Sequence, residues 1–323
     1  MFCGDFYQLP PVANRAVAAH AQASQCHLGS QLAVASSGGD RRFCFQSALW
    51  TQLFDCTYTL DRVFRQKGSS SFIDLLNSIR KGNCSREVVD AFGSCVGRQL
   101  DCTDGILPTK IFTHKEDVDA INSKELALLQ GEEREYIAID SGDDAFIKSL
   151  QSNCPARGRL RLRVGAQVIL VKTLDIAEGL VNGSRGVVAK FTKDTKRPVV
   201  RFREGVERII KSEVFSLSLT GRVVAQRSQL PLDLSWGISV HKSQGMSVDK
   251  AEVNLRRVFE FGQAYVALSR VRSMEGLSLA GPLLPQQIRV HADVADFYDK
   301  LEARQRRNGR ASSSCKGGDA LDK

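Results

Sequence analysis

The strongest constraint on the fold of this chain is a change of texture in its middle. From Leu160 to Leu232 the sequence reads as short strands, LRLRVGAQVILVK, GVVAKF, PVVRF, VERIIK and VVAQRSQLPL. Turn signals, Asn182-Gly183 among them, recur roughly every ten residues there, and that spacing predicts a small antiparallel barrel. On either side the pattern is strand followed by helix, which predicts a parallel α/β layer. The barrel is therefore expected as an insertion within an α/β domain.

Upstream, SFIDLLNSIRKG predicts a helix. Ser70 or Ser71 can cap it, Phe72, Leu75, Leu76 and Ile79 form one apolar stripe, Arg80 and Lys81 suit its negative end, and Gly82 stops it. A short helix is expected from Ser85, with Val88, Val89 and Phe92 inward. Lys110 to Phe112 reads as a strand leading to a helix opened by a Thr113/Glu116 capping box and closed at Gly131. Residues 1 to 12 read as the end of a buried strand and a rigid Pro10-Pro11 turn, and 13 to 42 as a long Ser/Gly-containing loop. Phe43 to Phe54 reads as a short helix and Cys56 to Phe64 as a strand. The α/β pattern resumes from Leu234 to Leu279, and the polar end RQRRNGRASSSCKGGDALDK is expected to be disordered.

Charge is unevenly divided. Residues 1 to 150 carry 15 Lys+Arg against 19 Asp+Glu, a net −4, while 151 to 323 carry 30 against 17, a net +13. The basic half is where a polyanion would bind, although a solvated basic face accounts for the same count. Nine cysteines, an odd number without a C-x-x-C pair, point away from a disulfide framework or zinc knuckle and toward buried free thiols in a reducing compartment. No apolar run approaches a bilayer span, so no membrane partner is expected, and no targeting address can be read from the residues after Met1.

Four segments have the make-up of nucleotide-sensing elements. GDFYQLPPV (Gly4 to Val12) sets an acid and an amide past a strand end, and Gln8 can accept from a water while donating to a phosphate. LDRVFRQ (Leu60 to Gln66) leaves Arg65 at a sheet rim, where a permanent cation suits charge developing on a phosphoryl group; a surface ion pair would explain it too. HKSQG, His241 to Gly245, packs two cations, a hydroxyl, an amide and a glycine into five residues, as a polar helix terminus also would. AYVALSRVRS presents Arg270 and Arg272, which could clamp a nucleotide or close a structural salt bridge. Arg157, Arg159, Arg161 and Arg163 recur at period two, on one face of an extended strand, where they could track a sugar-phosphate backbone or protect a strand edge. No G-x-x-x-x-G-K-[ST] occurs anywhere, so parts that sense phosphate stand without the loop that grips it.

In this order the residues resemble the Pif-type 5′ to 3′ DNA helicases of superfamily 1B. GDFYQLPPV looks like helicase motif III, LDRVFRQ like motif IV, HKSQGMS like motif V and AYVALSRVRS like motif VI. The stretch LRVGAQVILVKTLDIAEGLVNGSRGVV is similar to the one leading into that family's SH3-like insertion, and the likeness runs from Gly4 to Gly281.

The resemblance implies an α/β fold: a RecA-like parallel-sheet domain with an inserted SH3-like β-barrel, plus a remnant of a first RecA-like domain. Residues 1–58 would be the remnant, 59–158 and 234–285 the two parts of the second RecA-like domain, 159–233 the barrel and 286–323 a carboxyl-terminal extension. It further implies ATP and Mg2+ as cofactors, with their ligands mainly in an upstream part. Gln8 would be the γ-phosphate sensor, Arg65 and Arg270 arginine fingers, and Gly4, Asp5, Gln244 and Gly245 would line the nucleotide cleft. His241, Lys242, Arg161 and Arg163 would face DNA, and no protein metal ligand is expected. Implied partners are single-stranded DNA and DNA junctions, bound by a monomer in the nucleus or mitochondrion during replication, repair, recombination and telomere maintenance. On this reading the chain is the carboxyl-terminal part of a helicase, inactive alone. The other reading is a catalytically dead paralogue that binds single-stranded DNA or a protein.

Overall fold

The computed structural model describes residues 3–11, 43–47, 49–54, 57–60, 62–66, 68–102, 105–203 and 205–314, with side chains as far as Gln305. Helices α1 (Ser70–Arg80) and α2 (Arg86–Gly93) lie where their apolar spacing puts them. α1 buries Phe72, Leu76 and Ile79, and its cap position is Ser69. Ser85 caps α2 by accepting from the Val88 N–H. Strand β1 (Thr109–Phe112) leads into α3 (Lys115–Leu128). The expected Thr113/Glu116 capping box does not form: His114 is the cap residue, and the Thr113 hydroxyl is engaged 3.0 Å from His114 Nδ1.

A long antiparallel block follows: β2 (Arg134–Ile137), β3 (Ile139–Gly142), α4 (Asp144–Asn153), β4 (Arg159–Leu162), β5 (Gln167–Leu170), β6 (Arg185–Phe191) and β7 (Pro198–Phe202). It continues through β8 (Glu207–Ile209), β9 (Glu213–Leu219), β10 (Arg222–Gln229) and β11 (Leu232–Leu234). Then come β12 (Gly237–Ser239), α5 (Val240–Ser243), β13 (Ala251–Asn254), α6 (Gln263–Leu268), β14 (Leu277–Leu279) and α7 (Ala292–Ser314).

Two kinds of sheet result. β12, β1, β13 and β14 lie side by side in that order, all parallel. The block between β1 and β12 forms sheets β11-β5-β6-β7-β8, β3-β10-β9 and β2-β4, in which every pairing is antiparallel. An antiparallel insertion in a parallel α/β layer is thus what the chain builds. β3, β9 and α4 were not legible as separate elements. At the open edge of the parallel sheet, buried Asn122 of α3 donates to the Gly237 carbonyl and accepts from its N–H, both at 2.9 Å, which satisfies backbone groups that would otherwise lack a ladder partner.

Among the described residues, three separate clusters of buried side chains hold these layers. Ile111, Ile238, Val253 and Leu279 of the parallel sheet pack with Phe72, Leu76, Ile79 and Phe92 of α1 and α2. Leu160, Leu162, Val168, Val188, Val200 and Phe202 form the core of the antiparallel block. A smaller cluster joins Tyr7 and Phe43 to Val294 of α7.

Four expectations are corrected. Residues 57–60 and 62–64 form no strand; Tyr58 and Leu60 are more than four-fifths exposed, with no sheet edge to pair with. Residues 3–11 are likewise a turn without a strand, and the loop expected at 13–42 lies outside the described residues. The polar run from Arg304 is helical to Ser314, because α7 is already anchored by Val294, Phe297 and Tyr298. Of the six described cysteines only Cys95 is buried, so the thiols are not mainly core residues.

Candidate functional site

The segment Asp5 to Gln8 is a tight turn closed by the Gln8 N–H on the Asp5 carbonyl at 3.1 Å, with the Asp5 carboxylate accepting from the Tyr7 N–H at 3.2 Å. Asp favours this geometry because its short side chain can mimic a backbone acceptor. Arg80 at the end of α1 then grips the same carboxylate with Nη2 at 2.8 Å and Nε at 3.2 Å, and the Tyr298 hydroxyl reaches it at 3.3 Å. The Arg80 guanidinium also lies over the Tyr7 ring, 4.5 Å from its centroid, and Tyr7 stacks on Tyr298 at 4.6 Å. Asp5 is thus fully engaged in fixing the turn. Gly4 stands exposed beside it, with open space where a side chain would be.

That turn carries Gln8 to the start of α6. A Cβ on Gly262 would lie 2.3 Å from the Tyr7 carbonyl oxygen, and Gly262 has φ +71°, so only glycine lets the two backbones approach. Gln8 in turn accepts from the Gln244 side-chain amide at 3.3 Å, just past α5. Ser239 caps α5 through the Lys242 N–H. Gly245 follows, exposed and in the left-handed region at φ +83°. Gln8 and Gln244 therefore meet, and bring the neighbouring Gly4, Asp5 and Gly245 toward one rim from segments 236 residues apart.

The two candidate arginine fingers converge on Ser269. Arg65 donates to the Ser269 carbonyl at 3.2 Å and to the Ser247 hydroxyl at 2.8 Å. Arg270 donates to the Ser269 hydroxyl and the Val266 carbonyl, each at 2.8 Å. Among the described residues neither forms an ion pair, although Arg270 is only 2% exposed. Burial, and then the charge of Arg65, push the Arg270 pKa down to about 10; burial, with Arg272 nearby, also lowers that of Arg65. A buried guanidinium without a carboxylate creates positive potential that an anion would relieve. A cavity of about 260 Å³ opens beside Arg65, bordered also by Asn77, Tyr265 and Ser269. The other arginine of the motif behaves differently: Arg272 pairs with Asp249 at 2.8 Å.

The residues expected to face DNA are divided. His241 is exposed and lies nearly parallel to Phe259, 25° apart, with ring centroids at 6.2 Å. Lys242 Nζ is 2.6 Å from Asp233 Oδ2, a carboxylate only 5% exposed that also accepts from Arg157 at 2.6 Å. Arg161 and Arg163 both reach Glu133, at 3.6 and 3.4 Å, and Arg163 also donates to the Leu129 carbonyl. The arginine stripe is outward along β4, as its period implies, and acids of the neighbouring β2 region neutralise part of its charge.

Sequence reading did not find Arg80, Tyr298 or Asp233 as site-building residues. Their partners lie far along the chain, 75 residues away for Arg80 and Asp5 and 293 for Tyr298 and Asp5. Among the described residues no group of three or more His, Cys, Asp or Glu could hold a metal ion, and no helix is long and apolar enough to cross a membrane.

Comparisons of the chain with known proteins point to one group. A family model described as DNA helicase Pif1, 2B domain, covers residues 145–191. The ATP-dependent DNA helicase PIF1 of Xenopus laevis is 41% identical over 301 residues, which are 93% of this chain and 43% of that protein. The chain thus spans less than half the length of that curated relative. The crystal structure of a Pif1 helicase from Candida albicans superimposes with a TM-score of 0.71 at 33% identity, covering 93% of this chain and 68% of that one. A Bacteroides Pif1 helicase crystallised with ADP-AlF3 and ssDNA gives a TM-score of 0.65 at 26% identity, over 93% and 66%.

Proposed function

Because the chain belongs to the Pif1 helicase family, we propose that it supplies the phosphate-sensing and DNA-holding half of an ATP-dependent, 5′ to 3′ DNA helicase. The observation that carries this reading is the pair Arg65 and Arg270, converging on Ser269 with no carboxylate partner among the described residues. The terminal phosphate of ATP is an anion that fits there. When bound, ATP supplies the phosphoryl group whose transfer the site serves. Gln8, hydrogen-bonded by Gln244, would orient a water or sense that phosphate. Arg65 and Arg270 are suited to the charge that develops during transfer, an effect worth roughly a thousand- to a hundred-thousand-fold in rate for arginine fingers. Mg2+ finds no carboxylate cluster among the described residues.

The family's architecture goes with this reading: a RecA-like domain of residues 59–158 and 234–285, an SH3-like barrel at 159–233, a remnant at 1–58 and an extension at 286–323. Single-stranded DNA is the proposed partner, supported by the +13 charge of residues 151–323 and by the relative crystallised with it. His241, Lys242, Arg161 and Arg163 would face it. DNA junctions, monomeric action and a nuclear or mitochondrial role in genome maintenance belong to the same proposal.

The sequence contains no G-x-x-x-x-G-K-[ST], so the chain by itself is expected to bind DNA without turning over ATP. Phosphate release by purified protein, with and without oligonucleotide, tests the second half of that statement; DNA-stimulated release would overturn it. Fluorescence anisotropy with labelled single-stranded DNA over a salt series tests the first. Affinity should fall steeply with salt, because each neutralised phosphate releases counterions. No binding, or a flat salt slope, removes the DNA reading.

A further inference from the structure

Where α6 ends, the backbone around Arg270 has to find partners outside the helix, because the carbonyls of a last helical turn have none within it. Three consecutive carbonyls are satisfied from distant segments. That of Ser269 accepts from Gln66 Nε2 at 3.1 Å and from Arg65 at 3.2 Å. That of Arg270 accepts from the Val248 N–H at 3.0 Å, and that of Val271 accepts from Gln66 Nε2 at 2.9 Å. A glutamine amide nitrogen carries two N–H groups, and Gln66 directs one to each side of Arg270. These partners stand 203 and 205 residues apart in sequence, so no local pattern supplies them.

The contact is buried and adjoins the cavity beside Arg65. Gln66 is 3% exposed, and with Arg65 and Ser269 it borders that cavity. The Arg270 side chain is tied to the same short stretch of chain: its guanidinium donates to the Ser269 hydroxyl and the Val266 carbonyl, and the Ser269 hydroxyl donates to the Val266 carbonyl at 3.2 Å. A shift of residues 269–271 would therefore carry the guanidinium with it. A group that acts on a phosphate must be held to within a fraction of an ångström, and it gains from a backbone that cannot slide.

We propose that Gln66 is a positioning residue for Arg270: by donating to the carbonyls on both sides of it, Gln66 fixes the place from which that guanidinium meets a phosphate. This rests on the phosphate-sensing reading above and adds a residue that acts through Arg270, not by contact with the phosphate. Arg65, next to Gln66 in the chain, shares the Ser269 carbonyl. One displacement would thus disturb both cations.

The test uses the full 323-residue chain and inorganic phosphate as the probe. Arginine Nε–H resonances, identified by their loss in Arg65→Lys and Arg270→Lys, are followed by NMR as phosphate is added. In wild-type protein both should shift, and the Gln66 side-chain amide should shift with them over the same phosphate range. Gln66→Met, which keeps the reach of the side chain without a donor, should weaken phosphate binding by the folded protein about fivefold or more, and should move the Arg270 resonance before any phosphate is added. A merely structural tie would lower the urea midpoint and leave the phosphate affinity of the folded chain unchanged; that result overturns the proposal. Should Gln66→Met not fold, the wild-type titration decides: concerted shifts uphold the proposal, and an Arg270 shift with a stationary Gln66 amide overturns it. A response of Arg65 without Arg270 removes the positioning role alone, whereas wild-type protein in which neither arginine responds removes the phosphate-sensing reading with it.

Discussion

Gln244 donates its side-chain amide to Gln8 Oε1 at 3.3 Å, joining segments 236 residues apart. Neither glutamine sits in a long regular element. Gln8 is placed by a turn clamped to Arg80 and pressed against Gly262; Gln244 is placed by the end of a four-residue helix. The amide pair therefore reports on the packing of everything beneath it.

Gly262→Ala should unseat that turn. Its Cβ would meet the Tyr7 and Gln8 backbone at 2.3 to 2.9 Å, at a positive φ that alanine resists. The expected loss is about 1–3 kcal/mol from combined strain and lost contacts. Urea denaturation gives the magnitude, and faster amide exchange at Tyr7 and Gln8 identifies the place. Unchanged exchange there would show that the turn is held independently of α6.

Arg270→Met should leave the ligand-free chain as stable as wild type or stabilise it, by up to about 4 kcal/mol, because a buried charge without a carboxylate is replaced by an apolar side chain of similar reach. The pH dependence carries a sign. Burial lowers the folded pKa to about 10 from the ordinary guanidinium value, so the folded state holds that proton less tightly than the unfolded state does. Wild-type stability should rise with pH across that interval, and the advantage of Arg270→Met should shrink. Denaturant midpoints measured from pH 9 upward check it; a large loss at neutral pH would mean that the guanidinium is a structural tie.

Asp233 and Lys242 should differ although they form one ion pair. Asp233 is 5% exposed and serves Arg157 as well, so Asp233→Asn should cost about 1–3 kcal/mol even though Arg157 keeps Asp119 at 2.8 Å. Lys242 is 38% exposed, and Lys242→Met should cost less than about 1 kcal/mol. Equal losses in urea midpoint would mean that Arg157 contributes little to holding the carboxylate.

Hydrogen bonding from Arg227 holds the Asp140 carboxyl below its ordinary 3.8. The folded state thus binds this proton less readily than the unfolded state does. The contribution is complete above the unfolded value and fades as pH falls through the folded one. Thermal melting between pH 5 and pH 2 should show a shallower acid loss for Asp140→Asn than for wild type, from a lower starting stability. Parallel curves would place the acid sensitivity elsewhere.

Much of the architecture was legible because its cause is local. Phe72, Leu76 and Ile79 lie at helical spacing, Leu160 and Leu162 alternate with Arg159 and Arg161, and the switch between these periods marked the insertion. What escaped depends on distant partners. Thr113 has the composition of a cap, yet its hydroxyl contacts the neighbouring imidazole. Cys56 to Phe64 has the residues of a strand, but a strand also needs a neighbour's ladder. Arg80 reads as a helix-end cation, and its larger role as the clamp on Asp5 comes from the tertiary fold. Arg270 and Arg272 look equivalent in sequence; the carboxylate of Asp249 separates them by pairing with only one.

The stacking of Tyr7 on Tyr298 makes the opening segment and the closing helix one mechanical part. Shortening the protein ahead of Phe297 would strip the aromatic bed from beneath Phe6 and Tyr7 and leave Arg80 as the chief anchor of Asp5. Trimming a tail remote in sequence would thereby be felt at Gln8, so versions cut for crystallisation or tagged at that helix are unsuitable for judging how the rim behaves.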